Sequence, residues 1–125
     1  MSNFAEEPHA ATVVAEARSR GAYVHTLQGG ELRDKHAVLD AFAAMLEFPE
    51  TFGRNLDALY DCLTDLSWLP SGEHVVIWVG SGGLATENPK AYIAIRSVLS
   101  DAQRALGPVG ERSDGRQLTV VFAAA

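Results

Sequence analysis

The stretch His74-Val75-Val76-Ile77-Trp78-Val79-Gly80 decides the fold class. It runs apolar without alternating, the pattern of a strand covered on both faces. Such a strand belongs in a parallel sheet with helices packed on it. Upstream, Pro70-Ser71-Gly72 breaks the chain. Downstream, Gly80 to Asn88 reads as a loop, and Pro89 suits the first position of a helix reaching about Leu106. Gly107 to Gly115 is a polar, Gly-rich loop, Gln117 to Phe122 a last β-branched strand, and Ala123 to Ala125 a tail. Toward the N-terminus, a helix is expected from about Asn55 to Leu66, after a short loop from Phe48 to Gly53. Asp34 can cap a further helix to Leu46, with Val38, Leu39, Phe42, Met45 and Leu46 at helical spacing. Ala22 to Leu27 reads as a strand ending at Gly29-Gly30. His9 to Arg20 has helical composition and is closed by Gly21. Strands separated by helical crossovers predict an α/β fold, a small three-stranded parallel sheet flanked by helices with right-handed connections.

The 125 residues are 47% hydrophobic and 21% charged, so the chain can bury one core. We expect a single domain over residues 1–125, with 1–20 as a helical extension. The net charge is −6. A surface of that sign repels a phosphate backbone, which rules against non-specific nucleic-acid binding through a basic surface; we expect no nucleic-acid partner and a cationic one instead. The one cysteine, Cys62, excludes an internal disulfide and a cysteine-rich metal site. Residues 1–7 have neither the basic start nor the apolar run of a signal peptide, and the purest apolar run is far too short to cross a bilayer. The expectation is therefore a cytoplasmic protein with no membrane partner.

The informative helix is Asn55-Leu56-Asp57-Ala58-Leu59-Tyr60-Asp61-Cys62-Leu63-Thr64-Asp65-Leu66. At about 100° per residue, Leu56, Leu59, Leu63 and Leu66 fall in one narrow stripe. Asp57, Tyr60, Asp61, Thr64 and Asp65 fall opposite. Between Arg54 and Lys90 the sequence has no Lys or Arg to pair with these carboxylates. A solvated acidic face is the plain alternative for such a helix. Tyr60, an apolar body with a polar tip, and the missing cations point instead to an interface.

Phe52-Gly53-Arg54-Asn55-Leu56-Asp57-Ala58-Leu59-Tyr60-Asp61-Cys62-Leu63-Thr64 closely resembles the signature of the barstar family, inhibitors of secreted ribonucleases. The family pattern is aromatic-Gly-x-Asn-Leu-Asp-Ala-Leu-aromatic-Asp-Cys-Leu-Thr, long and ungapped here. The resemblance extends more weakly over roughly residues 22–122. It implies a barstar-like fold and a helix that plugs the active site of a basic, extracellular, guanyl-preferring ribonuclease, one inhibitor to one enzyme, with no cofactor. It implies contact roles for Gly53 and Asn55 at the start of the helix, and for Asp57, Asp61 and Thr64 facing the catalytic centre, with Asp61 as central anchor. Tyr60 stands where the type member has Trp. Asp101, on the later helix, matches an acidic residue that reaches the enzyme. The resemblance also implies a cis Leu69–Pro70 bond. The chain departs from the pattern at Thr51 (Tyr in the type member), Asp65 (Gly) and Leu66 (Trp), in residues 1–20, and in a longer loop over 107–116.

Other chemistries are open to the same residues. Asp57 and Asp61 could serve a small α/β hydrolase or a metal-dependent nuclease, but His9, His25, His36 and His74 are scattered in sequence. A non-inhibitory protein-binding adaptor is a third reading. Gly80-Ser81-Gly82-Gly83 lacks the spacing and the Lys-Ser/Thr ending of a phosphate loop. Cys62, with no adjacent base, reads as a packed thiol.

Overall fold

The computed structural model describes residues 7–106 and 115–125. In chain order its elements are α1 (Ala10–Ser19), β1 (Tyr23–Gln28), α2 (Lys35–Leu46), α3 (Leu56–Asp65), β2 (Gly72–Val79), α4 (Gly82–Glu87), α5 (Pro89–Leu106) and β3 (Arg116–Ala123). The strands make one sheet in the order β1-β2-β3, parallel at both pairings. This is the three-stranded α/β architecture expected from the central apolar run. That run lies in the middle strand, with Val76 opposite His25 on one side and Val120 on the other.

Alternation along β2 divides the interior. Val76 and Trp78 turn toward α2, α3 and α5, where they meet Leu39, Phe42, Leu59, Leu63, Ile95 and Leu99. Val75, Ile77 and Val79 turn to the other face, against Ala17, Val13 and Val14 of α1. Helix α1, expected as part of an extension, thus packs on this sheet face. Gly21, at φ 82°, ends α1 in the left-handed conformation that glycine adopts without steric cost. Its N–H donates to the Arg18 carbonyl, and the Ala22 N–H to that of Ala17, a Schellman closure. Arg20 then grips Glu73 of β2 through two bonds of 2.8 and 3.0 Å, and Glu73 also accepts from Thr119 of β3. The Arg20 hydrogen bond holds the Glu73 carboxyl below its usual range.

Two expectations are corrected. The segment Gly80 to Asn88 is not all loop, because residues 82–87 form α4, anchored by the buried Leu84. One apolar side chain is too short a pattern to register as a helix. The Leu69–Pro70 bond is trans, since no cis bond occurs among the described residues. The tertiary amide already prefers trans by about 0.5–1 kcal/mol, and both neighbouring carbonyls find donors in this form. The Arg116 guanidinium bonds the Leu69 oxygen at 2.6 and 3.0 Å, and His74 Nε2–H donates to the Pro70 oxygen at 2.7 Å. Most of the expected loop over 107–116 falls outside the described residues; its last residue, Arg116, opens β3.

Candidate functional site

Helix α3 starts where Asn55 folds its side chain back. Oδ1 accepts from the Ala58 N–H at 2.7 Å, and Nδ2 donates to the Gly53 carbonyl at 3.3 Å. Arg54, just before, takes a left-handed φ of 54°, which costs a residue with a Cβ about 1–2 kcal/mol. At the far end Leu66, also left-handed, donates its N–H to the Cys62 carbonyl and buries its side chain completely. Beneath the approach loop the rings of Phe48 and Phe52 meet edge-on at 4.9 Å, and those of Phe48 and Trp68 at 6.1 Å. Trp68 Nε1–H, from the segment after α3, donates to the Leu46 carbonyl at 2.8 Å, joining the exit of α3 to the end of α2. The helix is therefore fixed at both ends before any partner arrives.

Leu59 and Leu63 are wholly buried and Leu56 partly so, as the stripe requires. On the opposite side Asp57, Tyr60, Asp61 and Asp65 are exposed. Among the described residues no cation pairs with Asp57, Asp61 or Asp65, while Asp65 accepts a 3.2 Å bond from Ser67. Tyr60 is 37% exposed, one of few large apolar side chains left open among the described residues. Thr64 is half-buried, and its hydroxyl donates to the Tyr60 carbonyl at 2.8 Å. That leaves it lone pairs, and no proton, to offer outward. Asn55 is likewise committed to its own turn, so it shapes the face more than it presents a group.

Asp101 lies on α5, the helix packed beside α3, and is exposed, with its carboxylate bonded to Arg104 of the same helix. The Cys62 thiol is pushed up by burial and then by Asp61 and Asp65, which leaves it unsuited to nucleophilic work. His25 and His74 come together, their nitrogens 3.0 Å apart, but on the neighbouring strands β1 and β2 and not on α3.

Sequence reasoning missed Asp40. From α2 it holds Arg54 through a two-bond fork, Nε to Oδ1 at 2.7 Å and Nη2 to Oδ2 at 2.9 Å. The Arg54 hydrogen bond keeps the Asp40 carboxyl below its usual range. Asp34, at the head of α2, is read in sequence as its cap, but nothing local to Asp40 marks it as a partner for a residue fourteen positions on.

The arrangement is a rigid, preorganised strip of carboxylates with an aromatic ring among them. It can accept charge-assisted hydrogen bonds from guanidinium, ammonium or imidazolium groups. No curated protein matches the chain. The family model described as Barstar (barnase inhibitor) matches residues 22–123, from the residue before β1 to the last residue of β3. A chain with this match and this strand order belongs to the barstar family of barnase inhibitors.

Proposed function

We propose that this protein inhibits a basic, secreted, guanyl-preferring ribonuclease by seating the acidic face of α3 in its active site. The observation that carries the reading is the pair Asp57 and Asp61. Both are exposed on a capped helix, one turn apart, with no internal cation among the described residues. An enzyme that cleaves RNA gathers Arg, Lys and His side chains where phosphate binds. The two carboxylates replace that phosphate, Tyr60 covers the rim of the contact, and the complex forms one to one. Inhibition then needs no chemistry, only occupancy. Asp101, on the neighbouring helix, contributes at the edge. Opposite charge also speeds encounter, an advantage that fades as salt rises. The producing cell would hold the protein in its cytoplasm, neutralising the nuclease before export.

The test is a titration of barnase activity on RNA with the purified chain. A sharp equivalence point at one to one supports the reading. Full nuclease activity at large excess of the chain, repeated with other guanyl-preferring ribonucleases, would refute it.

A further inference from the structure

We infer that Asp40, on α2 and outside the segment that forms the acidic face, is a positioning residue of that face: it draws the Arg54 guanidinium onto itself and leaves Asp57 without a cation. The inference rests on the inhibitor reading above. Arg54 is the only Lys or Arg between Lys35 and Lys90. It stands just before α3, with Asp57 the nearest carboxylate in sequence, three residues on. Two carboxylates therefore compete for one guanidinium. The structure has it on Asp40, with both bonds of the fork formed at 2.7 and 2.9 Å. The left-handed backbone at Arg54 takes the residue off the helical path, and Asn55 locks that turn from the other side.

The consequence is electrostatic. With the fork intact, an incoming cationic site meets Asp57 and Asp61 with no guanidinium to displace. Without Asp40, Arg54 is free to fold back on Asp57, which neutralises one carboxylate and places a positive charge where positive groups must approach. Exposed pairs of this kind add little to folding. Asp40 therefore acts on recognition through Arg54 and not on the fold.

The experiment measures association rate and inhibition with barnase for wild type, Asp40→Ala, Asp40→Asn, Arg54→Ala and the double variant Asp40→Ala/Arg54→Ala, alongside thermal unfolding of each. Asp40→Ala and the near-isosteric Asp40→Asn should slow association about three- to tenfold at low salt, on the scale of steering by single charges. The deficit should shrink near 1 M salt, where the Debye length is about 3 Å. Arg54→Ala should bind at least as fast as wild type, and the double variant should recover to within about twofold of it. Unfolding midpoints should stay close together. A double variant as slow as Asp40→Ala would show that Asp40 acts through the fold, and wild-type rates in both Asp40 variants would show that it does not act at all. Either result overturns the inference while leaving the inhibitor reading intact. A wild-type chain that fails to bind would remove both together.

Discussion

Replacing Asp61 by Ala should move stability and inhibition in opposite directions. In the free protein Asp61 has no cation partner among the described residues, and Asp57 sits four positions before it on the same helix. Like charges at that spacing cost about 0.2–0.5 kcal/mol. Asp61 also stands in the second half of a helix whose last turn has no basic residue, against the negative end of the dipole. Ala is moreover the better helix former by about half a kcal/mol. The variant should therefore be more stable by about 0.5–1 kcal/mol, which raises the melting temperature by about 2–4 °C for a chain of this length. Binding should weaken, because cations of the enzyme are left buried without an anion. Truncating one partner of such a pair costs about 2–5 kcal/mol, a range whose measured cases include barnase–barstar itself. That is about thirty-fold to several thousand-fold in the inhibition constant. The assay is a titration of barnase with both proteins, with calorimetric melts of each. A variant that inhibits as tightly as wild type would refute the active-site plug. A melting temperature lowered by several degrees would show instead that Asp61 supports the fold, and the argument from an unpaired carboxylate would fail.

Gly29→Ala should lower the melting temperature by about 4–12 °C, the equivalent of about 1–3 kcal/mol of overpacking, because a Cβ there would lie 2.3 Å from Nε1 of the fully buried Trp78; a melt unchanged within a degree would contradict the packing described. Removing residues 1–21 uncovers Val75, Ile77 and Val79, which are 0%, 0% and 4% exposed. At about 1.5–3 kcal/mol per buried side chain this approaches the whole stability of a domain, so the truncated chain should show no cooperative melt at 25 °C, whereas one unfolding within a few degrees of full length would make α1 dispensable. Stability should also fall as pH drops from about 6.5 toward 4. Burial, and next the neighbouring His74, lower the His25 pKa to about 4, so the unfolded chain takes up a proton in that window and the native one does not; a His25→Phe variant should flatten the melting temperature between pH 6.5 and 5, and an unchanged slope would refute the assignment.

The sequence discloses what is periodic. The apolar run of β2 reveals a two-sided strand because every residue in it is covered, and the leucines of α3 reveal its buried stripe because they repeat at the helical period. The signature segment likewise places Asp57, Tyr60 and Asp61 on one open face without reference to the rest of the chain. What stays hidden is aperiodic or distant. Helix α4 has one buried apolar anchor, Leu84, and so no repeat to detect. The Gly80 to Gly83 run reads in sequence as a loop without the spacing or ending of a phosphate loop. In the fold it is backbone packing, since a Cβ on Gly83 would lie 2.8 Å from the Gly30 carbonyl. The Asp40–Arg54 fork and the His25–His74 contact join residues 14 and 49 positions apart, which only the tertiary fold brings together. Thr64 and Asn55 show a subtler limit. The resemblance assigns them contact roles, yet their polar atoms are already engaged with the helix backbone.

These limits explain how one helix can serve both fold and partner. Leu59, Leu63 and Leu66 are each 0% exposed, and burying such a side chain is worth about 1.5–3 kcal/mol. The charge terms on the other face are smaller by several-fold, a few tenths each for like-charge neighbours and for the helix dipole. Asp57, in the first turn, is even favoured by the dipole, whereas Asp61 and Asp65 are not. The apolar face therefore fixes the helix firmly enough to carry an unfavourable set of carboxylates on the polar one. Folding alone gives no reason to keep that set, since Ala or Lys at Asp61 would suit the isolated helix better. The proposed inhibition supplies a rationale, a partner that would bring the missing cations. The polar face of α3 is thus underpaired as a free surface, and in the proposed complex the enzyme's cations would complete it, so loss of Asp61 should help the free protein while it weakens inhibition.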